Sequence, residues 1–468
     1  MKKRKKIILG SITGALALAL AGGGFWAYKT FVPQETPIDK NATVASNFYQ
    51  AVNKDWLLKA KIPADSPSID NFYTLDEDIK GKLKKDIKNL GEGKETSDIT
   101  GMSEFITFYK AASNYKQREK DGLEPLKPYL KEIEDIKDVN DLASKSASLT
   151  DKGIPLPFGY DVGTNAENTS QKQIQLSPPS ILLPDVSIYK DEASKKQYLT
   201  PIETATQKAL EMLGYSEKNS KRIVKEALEF DEIIAKYSLS NEEISESKNL
   251  VHPKTAEEIN DYSGSFKLYD VIKGIMGRDL NTINVPNTKY FENYSKIVNQ
   301  DNFSKIKSWI LVQEAMAASN SLTEDYRLNF ASISMAIMGT QKPISKEDTV
   351  YEMSVNLFSD VMSVYYGRKY FGEEAKTDVT GMIDKIKNVY RGRLQQNDWL
   401  TEGTRNKAIE KLDKMKVFVG YQEDVDPGTK ELHLDPNKSF FELSEDIAQF
   451  GKRYTIDHFD DPIDKNKW

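Results

Sequence analysis

The sequence predicts a mostly α-helical body with a minor β-hairpin, and three observations carry that expectation. Apolar residues recur at three- and four-residue spacing through most of the 468 positions. Strand-like runs are confined to one stretch, residues 154–176. At 39% hydrophobic and 29% charged, the chain can build two or three domain-sized cores and sits far from disordered compositions.

The elements follow in chain order. Lys2, Lys3, Arg4, Lys5 and Lys6 form a basic cluster, and residues 7–28 behind it carry no charge. As a helix that run spans about 33 Å, the thickness of a bilayer core. The positive-inside rule keeps the basic cluster cytoplasmic and the body outside, with Phe25, Trp26 and Tyr28 at the outer interface. The rival reading is a cleaved signal peptide, because Ala19-Leu20-Ala21 before Gly22 is a small-residue cleavage site. Either way the body is exported, as a single-pass membrane protein or as a secreted one. Residues 29–45, with Pro33 and Pro37, read as a linker.

Helical patterning dominates from there. In 216–236, Val224, Ala227, Leu228 and Ile234 fall at helical spacing after Gly214 has closed a preceding helix. In 404–416, Ala408, Ile409, Leu412 and Met415 form one stripe. The stretches 101–117, 200–213, 302–319, 325–338, 350–371 and 376–396 read the same way. Residues 154–162 and 172–176, separated by the polar run 163–171, pair as an antiparallel hairpin. Trp56, Trp309 and Trp399 are expected to be core anchors. No fixed-period repeat and no low-complexity tract interrupts this pattern.

Catalytic grammar is sparse. The net charge of −6 is spread along the chain, without the basic face that nucleic acid requires. Cysteine is absent, which excludes disulfides, thiolate metal sites, a cysteine nucleophile and a lipoprotein anchor. A catalytic zinc needs three protein ligands and an open position. The three histidines, His252, His433 and His458, stand apart, and none starts an HExxH motif. His458, followed by Asp460 and Asp461, reads as a solvated loop histidine. There is no G-x-S-x-G elbow, P-loop or G-x-G-x-x-G turn. Paired carboxylates such as Glu242-Glu243 read as solvated helix faces. No residue is therefore assigned a catalytic, cofactor-binding or metal-ligating role.

Several segments are more specific. Asn47-Phe48-Tyr49 leads to Val52-Asn53-Lys54-Asp55-Trp56-Leu57 and then Ile62-Pro63. Leu183-Pro184-Asp185 is followed by Tyr189, and Glu242-Glu243 by Val251-His252-Pro253-Lys254-Thr255. Trp399-Leu400 leads to Thr404-Arg405, Ala408, Lys411-Leu412 and Val419-Gly420-Tyr421. Taken in order, these motifs resemble those of the neprilysin-type zinc metalloendopeptidases, from about residue 45 to the end. The cysteine-free composition resembles the bacterial, endopeptidase O-like branch.

The resemblance implies a helical, substrate-screening domain over 46–417 and the start of a catalytic domain over 418–468. It implies short peptides as substrates and zinc in the complete family enzyme. It also implies that the HExxH helix, the third zinc ligand and a transition-state histidine follow the region around Trp468, so the chain is expected to lack zinc and to be inactive alone. A separately encoded C-terminal half is an expected partner. The alternative is a non-catalytic surface remnant that binds peptides or proteins. Residues 424–468 are expected to fray without the rest of that lobe. Residues 68–76 carry no arginine where family members can hold the substrate's C-terminal side, which argues against arginine-mediated carboxylate preference.

Overall fold

A computed structural model describes residues 38–464. The basic cluster, the charge-free run 7–28, most of the linker and Trp468 lie outside the described residues. The chain divides into two units, 1–79 with 115–346 and 439–463, and 80–114 with 347–438 and 464–468. The expected boundary at residue 417 falls inside the second unit.

Helices at Glu192–Met212, Glu217–Tyr237, Phe303–Ala317 and Glu324–Met338 form the centre of the first unit. Asp191, Ser216 and Thr323 cap three of them by accepting a backbone N–H. The expected 200–213 helix starts eight residues earlier, because Asp191 caps it there, and it runs through Pro201. These helices bury Phe230, Trp309 and Tyr326, and the same core takes in Tyr290 and Tyr294 from the short turns Thr288–Phe291 and Tyr294–Ile297, all at 0–1% exposure. Phe230 and Trp309 meet edge to face, with ring centroids 5.9 Å apart.

A four-stranded sheet flanks this core in the order β1-β2-β4-β3. The expected hairpin forms as β1 (Gly159–Thr164) and β2 (Lys172–Ser177), antiparallel with Gly159 opposite Ser177. A Cβ on Gly159 would lie 2.5 Å from Ser177 Oγ, so a larger residue there requires the Ser177 side chain to turn away. Two strands without a sequence signal complete the sheet, β3 (Pro253–Lys254) and β4 (Ile283–Asn284). Each is two residues long, too short to show alternation.

Residues 424–468, expected to fray, contain a helix at Phe440–Asp457. Ser439 and Glu442 form a capping box at its start, and Phe440, Phe441 and Leu443 are buried within the first unit. The Phe441 ring meets Tyr129 edge to face at 5.4 Å.

The second unit packs Phe105, Phe108, Val350, Phe358, Val361 and Met362 between the helices Met102–Ser113, Lys346–Leu357 and Ser359–Tyr366. The stretch 350–371, read as one helix, breaks at Phe358 and ends in a π-helical turn, Gly367–Phe371. The long helix Gly372–Gln395 and the helix Glu402–Asp413 then pack against each other. Arg391 pairs with Asp413 across them.

Candidate functional site

The family-like segments resolve into two kinds, those that satisfy themselves inside a unit and those left open to solvent. The Leu183-Pro184-Asp185 segment belongs to the first kind. Asp185 Oδ1 accepts Ser187 N at 2.7 Å, capping the turn Val186–Lys190, and Oδ2 accepts Asn241 N at 2.9 Å. That turn carries Tyr189 to Asp231, a carboxylate with no exposed surface. Asp231 also accepts Trp309 Nε1 at 3.0 Å and Leu182 N at 3.0 Å. Burial pushes Asp231 up to about 6, and these three donors hold it back from rising further. Trp309 is thus the core anchor expected of it, with its N–H satisfied.

The Glu242-Glu243 and Thr255 signals are helix caps. Ser240 and Glu243 form one capping box, Thr255 and Glu258 another. His252 is stitched to β4: its N–H donates to Asn284 Oδ1 at 2.7 Å and its carbonyl accepts Val285 N at 3.0 Å.

In the second unit, Gly420 has φ +75°, and a Cβ there would lie 2.5 Å from the Phe371 ring. Tyr421 packs directly on Gly367, where an added Cβ would come within 2.0 Å of the tyrosine ring. The Tyr421 hydroxyl donates to Glu373 at 2.5 Å. The Val419-Gly420-Tyr421 signature is therefore a close-packed latch on the π-helical turn. Upstream, Thr401 caps the helix Glu402–Asp413 by accepting Thr404 N, and Arg405 donates to Asn397 O at 2.5 Å.

The other kind corrects the expectations. Trp399 is no core anchor: it stands 77% exposed on the turn between two helices. Of the expected stripe in 404–416, only Leu412 is buried, and Met415 is 52% exposed. The periodicity holds, but the neighbouring helix Gly372–Gln395 covers that side only in part: Ala408 and Ile409 are half-buried. The helix Phe48–Leu57 likewise has no buried residue, with Phe48, Tyr49 and Val52 exposed and Trp56 half-buried.

The three histidines do not build a metal centre. His433 has an 84% exposed side chain, with Nδ1 3.9 Å from Glu104 Oε1. His458 ends its helix with Nδ1 2.9 Å from Tyr454 O and its ring stacked on Tyr454 at 4.0 Å. Its neighbour Asp460 pairs with Arg278. Among the described residues no group of three or more His, Asp or Glu side chains is arranged to hold a metal ion.

Two ionisable clusters stand out. Glu314 in the first unit is 5% exposed, and burial pushes it up to about 8, with the charge of Glu445 adding to the rise. Burial raises Glu445 to about 6, and Lys452 opposes that rise. Lys452 Nζ donates to Thr150 O at 3.0 Å. In the second unit, Lys369 meets Asp86 Oδ1 at 2.9 Å, Glu95 Oε2 at 3.0 Å and Tyr365 Oη at 2.9 Å. Burial pulls Lys369 down, but those partners outweigh it and raise it. Both clusters are held by the packing of their own unit, Glu314 and Lys452 within the first and Lys369 with Asp86 within the second.

The profile of Peptidase family M13 matches residues 44–422. The chain is 32% identical over 431 residues to a neutral endopeptidase of Lactobacillus helveticus, covering 92% of this chain and 66% of that protein. A putative zinc metalloproteinase of Streptococcus gordonii is 27% identical, covering 90% of this chain and 75% of that one. Among solved structures, PEPO from Lactobacillus rhamnosis superposes with a TM-score of 0.86 at 23% identity, covering 91% of this chain and 68% of that one. The zinc metalloprotease ZMP1 of Mycobacterium tuberculosis superposes at 0.80 and 19%, covering 92% and 65%. The chain thus spans about two thirds of the length of the first of these curated relatives. Fold and ordered motifs together define a helical scaffold of the neprilysin-type peptidases. The chain belongs to Peptidase family M13, with the bacterial, endopeptidase O-like members as its kin.

Proposed function

We propose that this chain is the N-terminal, peptide-admitting portion of a membrane-anchored, extracytoplasmic zinc endopeptidase, and that these 468 residues do not cleave peptides by themselves. The carrying observation is the family match over 44–422 on a chain whose histidines neither form an HExxH motif nor come together. In a complete family enzyme, bound zinc activates water and polarises the scissile carbonyl. Among the described residues no group of His, Asp or Glu side chains is placed to hold that ion. What they offer is a helical scaffold, held by the Asp231 cluster in one unit and the Gly420–Tyr421 latch in the other.

Anchoring rests on residues 7–28 and their basic flank. Among the described residues no helix is long and apolar enough to cross a membrane. The domain reading, with substrate screening over 46–417 and a catalytic start from 418, belongs to the same proposal.

The test is cleavage of a short quenched fluorescent peptide by the purified chain with added zinc, beside a chelator control. No turnover above the chelated control is expected. Chelator-sensitive turnover by this chain alone overturns the proposal.

A further inference from the structure

The helix Phe440–Asp457 is held to the first unit in two different ways along its length. Its first turn is an apolar anchor: Phe440, Phe441 and Leu443 are buried, Phe441 against the Tyr129 ring and Phe440 beneath the Arg118 guanidinium at 4.7 Å. From Glu445 onward the contacts are mostly polar. Lys452 reaches Thr150 O, Arg453 comes within 3.9 Å of Asp151, Lys172 Nζ donates to His458 O at 2.5 Å, and Arg278 pairs with Asp460. Ion pairs as exposed as the two arginine ones add little to stability. Next to this polar stretch is Glu314 of the helix Phe303–Ala317, a buried carboxyl to which no described residue donates a hydrogen bond. The charges that act on it are those of Glu445 and Lys452. Gly153 leaves room for both: a Cβ there would lie 3.3 Å from Glu445 Oε2 and 3.9 Å from Lys452 Nζ. The other ionisable groups around this cluster are Tyr129 on the helix Lys127–Glu134, Asp151 at the end of Val139–Asp151, Tyr326 on Glu324–Met338, and Glu442 and Asp446 on the C-terminal helix itself. Burial raises both tyrosines, so they stay neutral. Lys452 therefore sets one charge against two when Glu314 and Glu445 are both ionised.

We propose that the helix Phe440–Asp457 is a proton-controlled arm: it stays closed on the first unit while Glu314 is protonated, and its stretch from Glu445 opens, with the Phe440–Leu443 anchor in place, as Glu314 ionises. Closure raises the Glu314 carboxyl from its ordinary 4.5 to about 8, chiefly by burial and then by the charge of Glu445, so the closed arm holds a proton that the open arm releases. The stabilisation of the closed arm by that proton is complete below about pH 4.5 and is lost progressively up to about pH 8, above which opening levels off. Glu445, raised to about 6, acts in the same sense over the lower part of that range. From pH 6 to 8 Glu314 alone sets the slope.

The test is amide hydrogen exchange of the full chain from pH 6 to pH 9, corrected for the intrinsic pH dependence of exchange. Opening of residues 445–458 is expected to increase about tenfold per pH unit from 6 to 8 and to level off above that. The helix Glu217–Tyr237 of the same unit is expected to keep its protection throughout. Glu314→Gln fixes the neutral form and is expected to remove the increase. Glu445→Gln takes away the neighbouring charge while leaving Glu314 in place, and is expected to end the increase at a lower pH. An increase that persists in Glu314→Gln overturns the inference, and so does protection that does not change with pH in the unsubstituted chain. If Glu314→Gln does not fold, Glu445→Gln decides: an increase ending at the original pH overturns the inference. Parallel loss of protection in 445–458 and Glu217–Tyr237 also overturns it, because the titration then belongs to the whole unit and not to the arm.

Discussion

Gly367 and Gly420 show how two residues without side chains fix a latch. The Tyr421 ring occupies the space a Cβ on Gly367 would need, and Phe371 occupies the space beside Gly420, which also sits at φ +75°. Gly367→Ala drives a Cβ into the Tyr421 ring and Gly420→Ala combines a left-handed backbone with overpacking, and each is expected to cost roughly 1–3 kcal/mol. Gly381→Ala and Gly403→Ala are the controls. A Cβ there meets nothing within 4 Å in a helix, and each is expected to be neutral or to stabilise by about 1 kcal/mol. Urea unfolding midpoints distinguish the two pairs.

Glu314 supplies a prediction in pH. Its folded-state value, about 8, lies above its ordinary 4.5, so the folded chain holds a proton that the unfolded chain releases. The stability this proton confers is complete below about pH 4.5 and is lost as pH rises towards 8. Glu445, raised to about 6, acts in the same direction. Glu314→Gln is expected to stabilise the first unit at pH 8.5 by roughly a few kcal/mol relative to pH 5, and to flatten the decline. Equal effects at both pH values in chemical denaturation would contradict this account.

At the scale of elements, Asp231 joins three pieces of chain that are far apart in sequence. It sits on the helix Glu217–Tyr237 and binds Leu182 and Tyr189 of the preceding loop and Trp309 of the helix Phe303–Ala317. Asp231→Ala leaves a buried N–H, an indole N–H and a phenol without their acceptor, and is expected to cost roughly 3–5 kcal/mol. Asp231→Asn keeps one acceptor oxygen and is expected to cost less, so the two unfolding midpoints should separate.

The same scale shows what the sequence made legible. Periodicity located helices such as Glu217–Tyr237 and Phe303–Ala317 to within a few residues, but it placed the start of Glu192–Met212 eight residues late and missed Asn71–Gly91, which buries only Leu83, Asp86, Ile87 and Leu90. Composition marked Trp309 and Trp399 alike as anchors, yet one is 1% exposed and the other 77%. An apolar stripe records that a face wants cover, and only the structure shows whether this chain supplies it. The π-helical turn escaped because a one-residue change in hydrogen bonding leaves the apolar period almost intact. β3 and β4 escaped because two residues carry no period. The candidate-site motifs were visible as a pattern, but their work as caps, latches and a buried-carboxylate hub depended on contacts distant in sequence.

At the scale of the whole molecule, membership of Peptidase family M13 stands beside the proposal that these residues hold no zinc of their own; among the described residues no group of three or more His, Asp or Glu side chains is arranged to hold a metal ion. Export is a further proposal at this scale. A protease added outside intact cells is expected to degrade the body, and protection until lysis would contradict that placement. The most direct test of the central claim is the zinc content of the purified full chain after equilibrium dialysis against a slight excess of the metal. The account predicts substoichiometric zinc, unchanged when His252, His433 and His458 are all replaced by Ala. One tightly held zinc per chain, lost in that triple variant, would contradict it.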